Sequence, residues 1–112
     1  MEISTQEQDD ALVVSVLERR IDAAVVIRFK EQMRAIVDGG APRVILDLSQ
    51  VEFLDSSGLG AVVSVMKHMG PERRLELARL TPTVQKVFRL TRMDSVFTIH
   101  QSLARDGIGH AV

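Results

Sequence analysis

The feature that most limits how this chain can fold is a change of hydrophobic period inside one stretch, Arg43 to Met69. Val44-Ile45-Leu46 is an unbroken aliphatic run, which suits a strand buried on both faces of a sheet. Val51, Phe53 and Leu54 follow as a second apolar anchor. Asp55-Ser56-Ser57-Gly58 then interrupts with small and polar residues. Beyond it the apolar spacing becomes Leu59, Val62, Val63 and Met66, the stripe of an amphipathic helix. The stretch reads as buried strand, tight turn and helix N-terminus.

That turn carries chemistry. The first turn of a helix has N–H groups without intrahelical partners and a partial positive charge. Asp55 or Ser56 is suited to cap them. With Asp55 as the cap, Ser57 falls in the first turn with its hydroxyl free. A phosphate there adds about −1.5 to −2 charges at a helix end that tolerates them. The fold survives such a change while a docking surface is altered. Taken alone, the four residues read first as plain helix capping.

On either side the same logic extends the reading. Residues 2–8 form a short edge strand, Asp9-Asp10 a polar turn, and Leu12 to Leu17 a second, buried strand paired with the first as a hairpin. Asp22 is placed to cap a helix whose apolar stripe runs from Val25 or Val26 through Phe29, Met33, Ile36 and Val37. Gly39-Gly40 and Pro42 end it. After Gly70-Pro71, Leu75 and Leu77 alternate with Arg74, Glu76 and Ala78, which predicts a strand with one less buried face. Thr81-Pro82 predicts a further helix, capped by Thr81, with Val84, Val87 and Phe88 inward. A last helical turn is predicted at Gln101–Asp106, with fraying from Gly107 to Val112. Strand–helix alternation implies one α/β domain with a mostly parallel sheet of 4–5 strands, an antiparallel N-terminal edge and 3–4 helices.

Composition excludes several function classes. The chain has 112 residues, no cysteine and a formal net charge of −1, so it offers neither a thiolate metal site nor the basic footprint of a nucleic-acid binder. With no Trp or Tyr, base stacking has little to work with. No apolar stretch approaches the roughly 18–20 residues of a membrane span, and the N-terminus lacks the pattern of a signal peptide. His68, His100 and His110 have no metal-ligand spacing and read as surface or edge residues. Met33, Met66, Met69 and Met93 fall at or beside core positions and read as packing. Gly58-x-Gly60 lacks the third glycine of a dinucleotide fingerprint, because Val63 stands there. Ser57 lies outside a hydrolase elbow, because Asp55 replaces the first glycine. No acid, base and nucleophile set converges, so the expectation is a non-enzyme without cofactor or metal.

The string VILDLSQVEFLDSSGLGAVV resembles the signature of STAS domains, named for sulfate transporters and anti-sigma factor antagonists. The resemblance implies that Ser57 accepts a phosphate from ATP and that Asp55, Ser56, Gly58, Leu59 and Gly60 are the other motif positions. It implies a partner that is both anti-sigma factor and serine kinase, bound by the unphosphorylated chain and released on phosphorylation. It also implies a metal-dependent phosphatase that resets the switch, and a cytoplasmic setting. The family's Gly-x-Leu-Asp pattern is matched at its last two positions by Ile21-Asp22, while Arg19 stands where glycine is usual.

Consecutive parallel strands end on one edge of the sheet, where ligands and partners tend to bind. Both turns, Arg19–Asp22 and Asp55–Ser57, belong there. Arg19 or Arg20 is expected to contact an acidic partner or the phosphate; the plain alternative is two solvated loop arginines. Other roles of STAS-like chains stay open: a scaffold subunit of a stress-signalling complex, an accessory subunit of a membrane transporter, or a small-molecule or nucleotide sensor.

Overall fold

The structure, a computed structural model, describes residues 1–103. Its frame is a five-stranded sheet in the order β1-β2-β4-β6-β7. β1 (Ile3–Gln8) runs antiparallel to β2 (Ala11–Val16). β2, β4 (Arg43–Asp47), β6 (Arg74–Ala78) and β7 (Ile99–His100) are parallel. The helices α1 (Val26–Val37), α2 (Ser56–Met69) and α3 (Pro82–Leu90) are the crossovers. Two strands of two residues each, β3 (Arg20–Ile21) and β5 (Phe53–Leu54), pair in parallel as a separate ribbon. They are too short for any period to reveal, and the sequence reading had only the anchor Val51–Leu54 there. The α/β architecture with its antiparallel edge otherwise follows the reading.

Pleat alternation sorts the strands into two faces. Val14, Val16, Val44, Leu46, Leu75 and Leu77 join Phe29, Met33, Val62, Val65, Val84 and Phe88 in the main core, all buried. Phe88 and Phe97 meet edge to face, ring centres 5.9 Å apart. Met33 and Met69 are buried in this core and Met66 and Met93 pack against it, as packing predicted. The other face carries Ala11, Val13, Ile45 and Ala78, clustered with Leu103, and also the buried polar residues Ser15, Asp47 and Glu76. Register puts Ser15 beside Asp47 and Ile45 beside Glu76.

Several expectations are corrected. Asp22 does not cap α1: the helix starts at Val26, and the capping position, Val25, makes no side-chain cap bond. Asp22 instead accepts from the Ala24 N–H at 3.1 Å and closes the turn ahead of the helix. The buried line of α2 is Gly58, Ala61, Val62, Val65 and Met69, with Leu59, Val63 and Met66 only half-buried on its flanks. Small residues turn inward because α2 packs against both the sheet and α1. β6 is buried on both faces, Glu76 at 4% and Ala78 at 0% exposure, because Arg43 and His100 from the neighbouring strands satisfy Glu76. Thr81 holds the capping position of α3 without a capping bond. Gln101–Leu103 is not helical; the rest of the predicted last turn, the fraying end and His110 lie outside the described residues. Among those described, no helix is long and apolar enough to cross a membrane.

Candidate functional site

Asp55 is the hinge of the site. It takes extended backbone angles and caps α2, its carboxylate Oδ1 accepting from the Gly58 N–H at 2.9 Å. Oδ2 accepts from the Ala23 N–H at 3.2 Å, so one carboxylate ties the helix start to the turn after β3. Ser56 and Ser57 occupy the first turn of α2 and are exposed. Neither hydroxyl makes a hydrogen bond among the described residues. With the capping done by Asp55, the Ser57 hydroxyl is free to react or be read by a partner.

The two glycines of the motif have different reasons. A Cβ at Gly58 would stand 2.2 Å from the Ile21 carbonyl oxygen and 3.1 Å from Leu54 Cγ. Close backbone approach therefore requires glycine at 58. A Cβ at Gly60 would meet nothing within 4 Å, and Gly60 is exposed. The chain's own packing does not demand glycine at 60; its effect is a side-chain-free patch three residues past Ser57 on the same helix face. Leu59 is half-buried against the core.

The turn at Arg19–Asp22 does lie beside this helix start. The Arg19 carbonyl accepts from the N–H groups of Glu52 and Phe53 at 2.7 and 3.1 Å, and the Ile21 carbonyl from that of Asp55 at 3.4 Å. Arg19 needs no left-handed backbone: among described residues the non-glycine positions with positive φ are Asp9, Arg79 and Arg92. The departure from glycine is thus accommodated. Arg19 meets Glu52 at 3.3 Å, both side chains open to water. The Arg20 guanidinium lies 4.4 Å from the Phe53 ring centre and donates from Nε to Asp22 Oδ2 at 3.0 Å. That guanidinium, with the Ala24 N–H, outweighs desolvation and holds the Asp22 carboxyl below its ordinary value.

A second flank, from the end of β6, is one that sequence reading missed. Asp47, 2% exposed, accepts from Ser15 Oγ at 3.2 Å, the Ser49 N–H at 3.0 Å and Arg79 Nη2 at 2.7 Å. Burial pushes the Asp47 carboxyl up, but Arg79 and the Ser49 N–H overcome it and leave the group below its ordinary value. Glu76 behaves alike: burial raises it, and His100 at 2.8 Å and Arg43 at 3.0 Å bring it down. The Leu48 N–H donates to the Ala78 carbonyl, and Thr81 Oγ1 donates to the Val51 carbonyl at 2.7 Å. Thr81 thus spends its hydroxyl on the segment leading to the motif. A signal existed in Asp47 and Arg79, charged residues closing apolar strands. Their pairing depended on register.

No group of three or more candidate ligands able to hold a metal occurs among the described residues. His68 meets Asp38 at 2.8 Å on the surface and His100 is half-buried on Glu76. A cavity of about 450 Å³ opens at the amino end of the sheet, among Asp10, Leu12, Ile36 and Pro42, remote from Ser57. The site is a surface: an exposed hydroxyl, a bare helix patch and a flanking turn.

The STAS domain family matches residues 2–105. The chain belongs to the STAS domain family. BtrV of Bordetella bronchiseptica, whose name assigns it to the anti-sigma factor antagonists, is 29% identical over 99 residues, 88% of this chain and 85% of that protein. The crystal structure of an anti-sigma factor antagonist from Mycobacterium paratuberculosis superposes with a TM-score of 0.83 at 27% identity, covering 93% of this chain and 88% of the other. The Bacillus anti-sigma factor antagonist SpoIIAA shares the fold. Its unphosphorylated form gives a TM-score of 0.73 at 20% identity over 98% and 96% of the two chains, and its phosphorylated form 0.66 at 19% over 99% and 100%. The family's antagonists are regulatory proteins, in keeping with a site built as a surface.

Proposed function

We propose that this STAS chain is a cytoplasmic, non-enzymatic anti-sigma factor antagonist, switched by phosphorylation of Ser57. Unphosphorylated, it binds an anti-sigma factor with serine kinase activity and so frees a sigma factor. Phosphorylated, it releases that partner, and a metal-dependent serine phosphatase resets it. The observation that carries the reading is the exposed Ser57 hydroxyl, which no hydrogen bond among the described residues engages, on a helix start already capped by Asp55. A phosphate added there changes the surface without taking over a bond the fold relies on. That SpoIIAA has been solved in both phosphorylated and unphosphorylated forms supports the same reading. Asp55, Ser56, Leu59 and the bare patch at Gly60 are its immediate surroundings for a partner. Arg19 and Arg20 form the rim, able to meet an acidic partner or the phosphate. A dianion inside such an interface weakens it by repulsion and desolvation, and each 1.4 kcal/mol is about tenfold in affinity.

The test is a pull-down from native cells with wild type, Ser57→Ala and Ser57→Asp, with phosphosite mass spectrometry on the wild type. The expected result is phosphate on Ser57 and a kinase-type anti-sigma factor retained by Ser57→Ala and lost by Ser57→Asp. Recovery of one set of transporter or scaffold proteins by all three forms, with Ser57 unmodified, would assign the chain to a structural role instead.

A further inference from the structure

Arg79 stands at φ +55°, in the left-handed region that favours glycine. An arginine is an uncommon choice for that backbone. That side chain reaches back to the buried carboxylate of Asp47, with Nη2 to Oδ2 at 2.7 Å and Nε to Oδ1 at 3.3 Å, and touches Ser49 Oγ at 3.3 Å. Asp47 and Ser49 begin the connection that ends at the helix cap. From there each step is tied: the Val51 N–H to the Leu48 carbonyl, Thr81 Oγ1 to the Val51 carbonyl, the Glu52 and Phe53 N–H groups to the Arg19 carbonyl, and the Asp55 N–H to the Ile21 carbonyl.

We propose that Arg79 is a positioning residue of the Ser57 surface: through Asp47 and Ser49 its guanidinium fixes where residues 48–55 leave the sheet, and so where Asp55 caps α2. The inference takes Ser57 as the phosphoacceptor, as proposed above. Without the guanidinium the buried Asp47 carboxylate is held less firmly, and the Ser49 turn that it organises loosens. The loosening passes along residues 48–55 because these are held by isolated bonds and a two-residue ribbon, not by a long ladder.

The experiment is amide hydrogen exchange on the full chain as wild type, Arg79→Gly and Arg79→Lys, with Ser57 phosphate occupancy in native cells measured by mass spectrometry. Glycine relieves the backbone strain while removing the guanidinium, so it separates positioning from general stability. In Arg79→Gly, exchange at Ser49, Glu52, Phe53 and Gly58 is expected to rise about tenfold, with the β1–β2 amides within about twofold of wild type. Arg79→Lys, which restores the charge, is expected to fall between the two. Occupancy at Ser57 is expected to drop in Arg79→Gly and to recover partly in Arg79→Lys. Unchanged exchange at residues 49–58 in Arg79→Gly, or equal acceleration across the whole sheet, overturns the proposal. A wild type without phosphate on Ser57 defeats the phosphoacceptor reading alone, and the exchange pattern still decides positioning.

Discussion

Two flanks grip residues 48–55, and they are built on opposite electrostatic terms. On one side the Arg19–Glu52 pair is open to water, 80% and 61% exposed. On the other, Asp47 is 2% and Arg79 29% exposed. An exposed pair gains little, because water screens it and two long side chains must be ordered. A buried carboxylate is different: once it is in the interior, removing its partner leaves a charge without compensation. The two flanks divide the labour. The buried flank contributes to holding the site in place, while the exposed flank holds through backbone bonds, its arginine side chains meeting Glu52, Asp22 and Phe53 at the surface.

The largest effect should come from the buried flank. Asp47→Ala is expected to cost about 3 kcal/mol in a denaturant titration, at the low end for a broken buried pair because Arg79 can turn toward water. The pH profile sharpens this. Folding lowers the Asp47 carboxyl from its ordinary 3.8 and the Glu76 carboxyl from its ordinary 4.5. Their stabilisation is therefore fully present above those ordinary values and lost as pH falls through the lower folded values. Acid unfolding of Asp47→Ala should lose part of that slope; an unchanged slope would break the contrast between the flanks.

Next in size is Gly58→Ala, where the new methyl meets the Ile21 carbonyl oxygen. A cost of about 1–3 kcal/mol is expected by chemical denaturation, despite the better helix propensity of alanine. The smallest effect should come from the double variant Arg19→Ala/Arg20→Ala, within about 0.5 kcal/mol of wild type in stability. Its partner affinity is where a change is expected, in one phosphorylation state more than the other. Unchanged affinity in both states would reduce these arginines to solvated loop residues.

Local signals carried much of this structure. The aliphatic run of β4, the helical stripe of α1 and the breaks at Gly39-Gly40 and Gly70-Pro71 are short-range patterns, and these elements form there, though α1 begins at Val26 and not directly after Asp22. The serine turn was equally legible, since a cap is set by residues three apart, Asp55 and Gly58. The inward face of α2 was not. Hydrophobicity alone favours the line through Leu59, Val62, Val63 and Met66, but α2 is pressed between the sheet and α1, and of these only Val62 is buried, beside Gly58, Ala61, Val65 and Met69. Glu76 reads as a solvent-facing residue of a half-exposed strand until Arg43 and His100 are brought beside it by register.

The alternation of strands and helices, a start of α2 capped by Asp55 or Ser56 and the serines of its first turn were legible from pattern alone, because each depends on residues within a turn or two of one another. Why position 58 must be glycine and position 60 need not be, which carboxylates are buried, and that Arg79 reaches Asp47 across 32 residues of chain follow from how distant segments are brought together. Those are contacts between neighbouring strands and across the sheet edge. A hydrophobic pattern records how far a side chain prefers to be from water, and strand order and register decide which charged partner waits for it there.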